Sequence, residues 1–346
     1  MKHTAKKTIL VTGGMGFIGS NFVEALYKAK PESHIVVLDI LNYAGRFENI
    51  PPNIHSSPRF RFVRGDIRDQ GLVEQLMQNV DYVVHFAAES HVTRSLQNSH
   101  VFYDVNLMGT HTMIRALLQA GRSIEKFIHI STCEVYGDAY TGPIQETLAQ
   151  RPATPYAGSK AAAETLVYAF YKSFGIPVVI VRPFNGYGPR EHIEKVIPRF
   201  ITNIIQNKPI EIHGTGKQTR DWTYIDDFSH GLMAILETPI KKVHGEIMNF
   251  GSGKGISIND IASIIVDHSG TNRNMITHIA DRPGQVYSFE ADTAVAQKLI
   301  GWNPATKFQD GLKQTIDWYR NNPGWWMPLL GTEKVEVAID HTKVQF

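Results

Sequence analysis

Residues 8–20 read TILVTGGMGFIGS, and this stretch decides how the rest of the chain is read. A β-branched, apolar run passes without a break into Gly13, Gly16 and Gly19, and then into a helical pattern over 19–29. A strand that turns over glycines into a helix gathers backbone N–H groups at the positive end of that helix, which suits a dinucleotide pyrophosphate. The next strand, HIVVLD (34–39), ends in Asp39, twenty residues beyond Gly19. A carboxylate there can accept both hydroxyls of an adenosine ribose and repels a 2′-phosphate, so the expected cofactor is NAD rather than NADP. Asp66, after the third strand, either meets the adenine or caps the following helix.

Working outward, the runs at 60–66, 82–88, 126–132 and 177–183 read as further strands, with helical patterns at 69–79, 103–120 and 157–174 between them. Each strand is almost continuously apolar, as expected when both faces of a sheet are covered. The alternation predicts an α/β fold with a Rossmann-type, doubly wound parallel sheet. The pattern loosens after Asn185, with helices expected at 194–207, 226–237, 257–269 and 308–320 and a strand and turn at 244–253. The expected division is an NAD-binding domain over 1–185 with a returning segment near 217–250, a smaller α/β substrate domain over 186–330, and a tail over 331–346. The alternating VEVAI of that tail fits a packing arm or an edge strand.

The 346 residues are 42% hydrophobic and 20% charged, with a formal charge of +2, and no run of Lys or Arg forms a basic arm. That balance argues against a nucleic-acid partner. Glycines interrupt the first apolar run too early for a signal peptide or a membrane span, so a cytoplasmic protein without membrane partners is expected. Cys133 is the only cysteine, which excludes an intrachain disulfide and cysteine-based zinc frameworks. No His/Asp/Glu spacing has the form of a metal site, and no metal is expected.

After the fifth strand comes YAGSK (156–160). On a helix, Tyr156 and Lys160 share one face, and the ammonium should lower the pKa of the phenol. A tyrosine so poised can take a proton from a sugar hydroxyl while hydride leaves the same carbon.

With these residues in view the chain resembles the extended short-chain dehydrogenase/reductases, and among them the nucleotide-sugar dehydratases. The similarity to the dTDP-glucose 4,6-dehydratases runs from Thr8 to about Tyr319, through NYAG (42–45), AAESHVTRS (87–95), STCEVYG (131–137), YAGSK (156–160), EKVIP (194–198), RDWTYIDD (220–227) and DRPG (281–284). A second resemblance is to the UDP-GlcNAc 5,6-dehydratase type, through STCEVYG, FNGYGP (184–189), NFGSG (249–253) and ADTA (291–294). The resemblance implies Phe17, Ile18, Asn42, Ile67, Ala87 and Ser131 as further cofactor contacts beside Gly13, Gly16, Gly19, Asp39, Asp66, Tyr156 and Lys160. It also implies a homodimer through a four-helix interface. The apolar Phe102, Leu107, Leu117 and Leu118, and Leu166, Val167, Phe170 and Phe174, exceed what one core face needs.

The chemistry agrees with the resemblance. Once C4 of a hexose is a ketone, its C5 proton is acidic, and Glu134 is the candidate base. The C6 hydroxyl leaves as water only when protonated; where the 4,6-dehydratases carry Asp, this chain has Cys133. A thiol of ordinary pKa roughly 8.5 is protonated at neutral pH and can donate, or the side chain merely fills space. Thr132 would orient the C4 hydroxyl toward Tyr156. Asn185, Val196, Arg220 and Arg282 match positions that bind the sugar diphosphate, and His91 and Arg94 sit near the expected sugar pocket. Hydride returning to C6 gives a 4,6-dehydratase and returning to C4 gives a 5,6-dehydratase; the base is uridine or thymidine. The alternatives are a UDP-glucuronate decarboxylase, a 4-epimerase, which has no need of Glu134, and an NAD-binding redox-sensing regulator, which needs neither Tyr156 nor Lys160.

Overall fold

The computed structural model describes residues 6–121, 124–137, 142–280, 288–331, 336–339 and 342–345. Its first six strands are β1 (Thr8–Thr12), β2 (His34–Asp39), β3 (Phe60–Arg64), β4 (Tyr82–His85), β5 (Lys126–Ile130) and β6 (Val178–Pro183). The second half adds β7 (Asn185–Tyr187), β8 (Ile210–His213), β9 (Thr219–Tyr224), β10 (Ile247–Phe250), β11 (Gly255–Ser257) and β12 (Ile276–Ile279). Seven strands form one parallel sheet in the order β10-β6-β5-β4-β1-β2-β3. The order reverses between β1 and β4, which opens a crevice at their carboxyl ends.

The continuous apolar runs are explained by two cores, one on each face. Ile9 and Val11 of β1 join Phe22, Val23 and Leu26 of the helix Phe17–Ala29 and Phe228, Leu232 and Ile235 of the helix Ile225–Glu237. Leu10, between them in sequence, points the other way, into a core with Val73, Leu76, Met113, Ile114, Leu117 and Val167. Opposite faces for successive residues, both covered by helices, produce the doubly wound sheet.

A third core belongs to the second half. Ile197, Phe200 and Ile201 of the helix Val196–Ile205 meet Ile261 and Ile265 of Ile258–Ser269, Leu312 and Ile316 of Phe308–Asn321, and the buried Trp326. Beside it lie the sheet β11-β9-β7 and the parallel pair β12-β8. Among the described residues, the tail strands do not pair with these sheets. They are β13 (Glu336–Ile339) and β14 (Thr342–Gln345), which form an antiparallel hairpin of their own, beside the helix Val92–Gln97.

The helix expected over 103–120 is present, but it is not uniform. Ser99–Phe102 is α-helical, Tyr103–Gly109 widens to a π-helix, and Thr110–Gln119 is α-helical again. The wide segment carries Asn106, which accepts from the Glu89 N–H at 2.7 Å and donates to Ser159 Oγ at 2.8 Å. It thereby ties the loop after β4 to the helix Pro155–Phe174.

Candidate active site

The crevice is a cleft of about 610 Å³. Gly13, Gly16, Phe17, Ile18 and Gly19 line it from the first turn, Asp39 and Asn42 from the end of β2, and Asp66 and Ile67 from the end of β3. Ala87 and His91 follow β4; Ser131, Thr132, Cys133 and Glu134 follow β5; Tyr156 and Lys160 come from the helix beyond. The second half contributes Asn185, Val196 and Arg220. Arg94 is not part of this lining: its guanidinium pairs with Glu194 at 3.5 Å and lies 4.1 Å from the Tyr43 ring centroid. Arg282 lies outside the described residues.

The residues at the cofactor end fit a dinucleotide. Gly13 adopts φ +68°, and a Cβ there would lie 2.6 Å from the Ala87 nitrogen. A Cβ on Gly19 would collide with the Gly13 carbonyl oxygen. Strand, turn and helix therefore pack too closely for any side chain at either position. The helix Phe17–Ala29 starts at Gly16 with no side-chain cap and no acidic residue in its first turn, which leaves its leading N–H groups and positive end to an anion. Asp39 is buried, which pushes its carboxyl above the usual range, while N–H groups of Leu41 (2.8 Å) and Met15 (2.9 Å) hold it down. Each carboxylate oxygen keeps a further acceptor site for a ribose hydroxyl.

Asn42 accepts from the N–H groups of Ala44 (3.0 Å) and Gly45 (3.1 Å) and so shapes the loop beyond Asp39. Asp66 is not the helix cap; Asp69 is, accepting from the Leu72 N–H at 3.1 Å. The Asp66 carboxylate is instead gripped by Arg68, whose hydrogen bonds lower its pKa.

At the chemical end, Thr132 caps a short 3-10 helix, Cys133–Tyr136, by accepting from the Glu134 N–H at 3.2 Å. Thr132 lines the same cleft as the Tyr156 phenol. Lys160 is buried and donates to the Ile130 carbonyl oxygen at 2.6 Å. Burial lowers its pKa to about 8, against the pull of Glu164. The expectation that Lys160 depresses the Tyr156 pKa is not met. Burial raises that pKa, the Thr132 side chain opposes, and the charges of Glu134 and Cys133 add to the rise. Cys133 is 3% exposed and packs with Val135, Ile144, Phe184 and Phe289. Burial first and Glu134 second hold its thiol well above its ordinary range, so it stays protonated, with Arg220 opposing.

Asn185 Oδ1 is buried and, among the described residues, has no hydrogen-bond partner, as expected of a group awaiting a ligand donor. His91 caps the helix Val92–Gln97, accepting from the Arg94 N–H at 3.2 Å, and its Nε2 lies 3.4 Å from Glu194.

Sequence reasoning missed the role of Glu194, which gathers His91, Arg94 and the Tyr43 hydroxyl (3.2 Å) across the cleft. Nothing in the local pattern of NYAG or EKVIP links Tyr43 to Glu194. Sequence reasoning also passed over Glu164 and Arg182, which form a buried ion pair at 2.5 Å. The available signal was an arginine inside the apolar run PVVIVRP. Among the described residues no group of three or more His, Cys, Asp or Glu could hold a metal ion, and no helix is long and apolar enough to cross a membrane.

A glycine turn with a carboxylate at the end of the next strand, in a cleft shared with Tyr156, Lys160 and a Thr-Cys-Glu run, fits the NAD-dependent dehydratases of the extended short-chain dehydrogenase/reductase class. The chain belongs to the family described as GDP-mannose 4,6 dehydratase, whose model matches residues 10–315. It is 38% identical over 325 residues to a dTDP-glucose 4,6-dehydratase of Streptomyces niveus, covering 93% of this chain and 95% of that one. It is 39% identical over 332 residues to a trifunctional enzyme of Arabidopsis thaliana that includes a UDP-glucose 4,6-dehydratase, covering 94% of this chain and 49% of that one. A crystal structure of a dTDP-glucose 4,6-dehydratase from Streptomyces venezuelae with NAD bound superposes with a TM-score of 0.88 at 39% identity, covering 93% of this chain and 99% of that one.

Proposed function

We propose that the protein removes water across C5 and C6 of a nucleoside-diphosphate hexose after transient oxidation at C4. The observation that carries this reading is that Thr132, Cys133, Glu134, Tyr156 and Lys160 line one cleft together with the glycine turn at Gly13, Gly16 and Gly19. NAD held between the glycine turn and Asp39 would supply the acceptor, and later the donor, of a hydride. Thr132 orients the C4 hydroxyl and Tyr156 takes its proton. Glu134 removes the C5 proton, and the Cys133 thiol gives its proton to the departing C6 hydroxyl, which leaves as water. Lys160, charged below about pH 8, is the cation of the site.

The names of the relatives favour hydride return to C6 and a 4-keto-6-deoxy product. They include thymidine and uridine diphosphate enzymes at nearly equal identity, so a pyrimidine nucleotide is the proposed class. In this reading residues 1–185 with the 217–250 return hold the cofactor, and Asn185, Val196, Arg220 and Arg282, with 186–330 around them, hold the sugar nucleotide. Leu96, Met108, Leu118 and Phe174, all at least 40% exposed on the helices of residues 92–119 and 155–174, support a homodimer that covers them. A cytoplasmic location fits the single cysteine.

The test is incubation with dTDP-glucose, UDP-glucose, UDP-GlcNAc and UDP-glucuronate in turn, with products read by mass spectrometry and proton NMR. Loss of one water with a new methyl signal is the expected result. Vinyl protons would give the 5,6-product instead, and carbon dioxide from the glucuronate alone would refute dehydration.

A further inference from the structure

Glu164 and Arg182 are 2% and 3% exposed, and each has a partner at one end of the same loop. Glu164 stands one helical turn beyond Lys160, and Arg182 lies in β6. Arg182 Nε reaches the two Glu164 oxygens at 3.2 and 3.1 Å, and its Nη2 reaches Oε1 at 2.5 Å. Glu164 also accepts from Ser131 Oγ at 2.5 Å and from Gln150 Nε2 at 2.6 Å. From the other side, Arg182 Nη1 donates to the Tyr136 hydroxyl at 2.8 Å and to the Glu146 carbonyl oxygen at 3.0 Å. The guanidinium lies 4.7 Å from the Tyr136 ring centroid, and the Tyr136 hydroxyl donates to Asn249 Oδ1 at 2.7 Å.

Ser131 and Tyr136 are the two ends of the segment that carries Thr132, Cys133 and Glu134. One ion pair therefore grips that segment at both ends. Apolar residues of the same volume often stabilise a core as well as a buried ion pair does, so stability alone gives little reason for these charges. Directional bonds from both partners to the ends of one loop give a better one, because packing alone tolerates small displacements and a forked guanidinium does not.

We propose that Glu164 and Arg182 are positioning residues that clamp residues 131–136, with the Tyr136 hydroxyl as the second jaw, and so aim Thr132, Cys133 and Glu134 into the cleft beside Tyr156. The clamp is a claim about loop position; only its consequence for turnover rests on the function proposed above.

The chain provides its own reporter. Cys133 is the only cysteine, is 3% exposed and sits inside the clamped segment. Reaction of the full-length protein with a chromogenic aromatic disulfide, well below the unfolding midpoint of each variant, reads the opening of this loop without any substrate. Tyr136→Phe and Glu164→Gln should each speed that reaction about tenfold or more. Lys126→Met removes a buried hydrogen bond of 2.6 Å to the Leu236 carbonyl oxygen, far from the loop, and should leave the thiol rate within about twofold. If Glu164→Gln fails to fold, Tyr136→Phe decides, because it leaves the ion pair whole. A thiol rate unchanged in the folded variants, or raised as much by Lys126→Met, would overturn the clamp. In turnover, the clamp variants should lose about tenfold in kcat with KM within about twofold. A loosened thiol with normal kcat would keep the clamp and sink the chemical role given to the loop.

Discussion

Lys160 and Ile130 are joined by a hydrogen bond of 2.6 Å from the buried ammonium to the carbonyl oxygen at the end of β5. The bond places the cation under the loop 131–136. Burial, opposed by Glu164, holds the Lys160 pKa near 8. In the unfolded chain it returns to its ordinary 10.5. Between these values the unfolded chain binds more protons than the folded one, so this group adds stability as pH rises from 8 to 10.5, by up to about 1.4 kcal/mol per pH unit. Below 8 the penalty of the buried cation is present in full. Lys160→Met removes both penalty and slope. Its stability relative to the wild type in urea should therefore fall between pH 8 and 10, and parallel curves would contradict the shifted lysine.

Tyr156 is the acceptor of the C4 proton in the proposed reaction. Tyr156→Phe should slow substrate-dependent reduction of bound NAD, followed by absorbance in single turnover, by about 10²–10⁴-fold. Thr132→Val removes the orienting hydroxyl together with its capping bond from the Glu134 N–H, and should cost about tenfold in the same step. Normal reduction in the phenylalanine variant would take Tyr156 out of the mechanism.

Glu134 and Cys133 are assigned to different protons, and solvent deuterium separates them. Glu134→Gln should still permit C4 oxidation while blocking deuterium entry at C5. Cys133→Ala should slow water loss more than C5 exchange. Equal slowing of both steps, or of neither, would reduce the thiol to its packing role against Phe184 and Phe289.

Gly19 has no room for a side chain, since a Cβ would strike the Gly13 carbonyl oxygen. Gly19→Ala should lower stability by about 1–3 kcal/mol and weaken NAD binding by more than tenfold, read by thermal melting and equilibrium dialysis. Gly324→Ala has nothing within 4 Å of the added carbon and serves as the neutral control.

The glycine turn, the strands and the YxxxK pair were readable because local rules produce them. A strand covered on both faces must be apolar throughout, as Ile9, Leu10 and Val11 are. A tight strand-to-helix turn must use glycine at Gly13 and Gly19. What periodicity could not carry was tertiary. The π-helical turn at Tyr103–Gly109 presents Asn106 to a loop and a helix distant in sequence. Asp66 looked like a cap, but Asp69, three residues on, does that work, and Arg68 decides the fate of Asp66. The Tyr156 pKa was misjudged because spacing reveals the neighbouring ammonium and hides the desolvation. Arg182 stands out as a cation in the apolar run PVVIVRP, but only the fold shows that Glu164 is its partner.

The last strand of the parallel sheet, β10, comes from residues 247–250, far downstream of its neighbour β6 at 178–183. During synthesis β6 therefore waits, with one row of backbone donors and acceptors unpaired, while more than sixty further residues are made. An open apolar strand edge is a template for pairing with another chain. Nascent chains stalled or truncated between these two strands should be the aggregating species, and a chaperone or ribosome that shields β6 until Ile247–Phe250 emerges would govern the yield of folded enzyme more than the stability of the finished sheet.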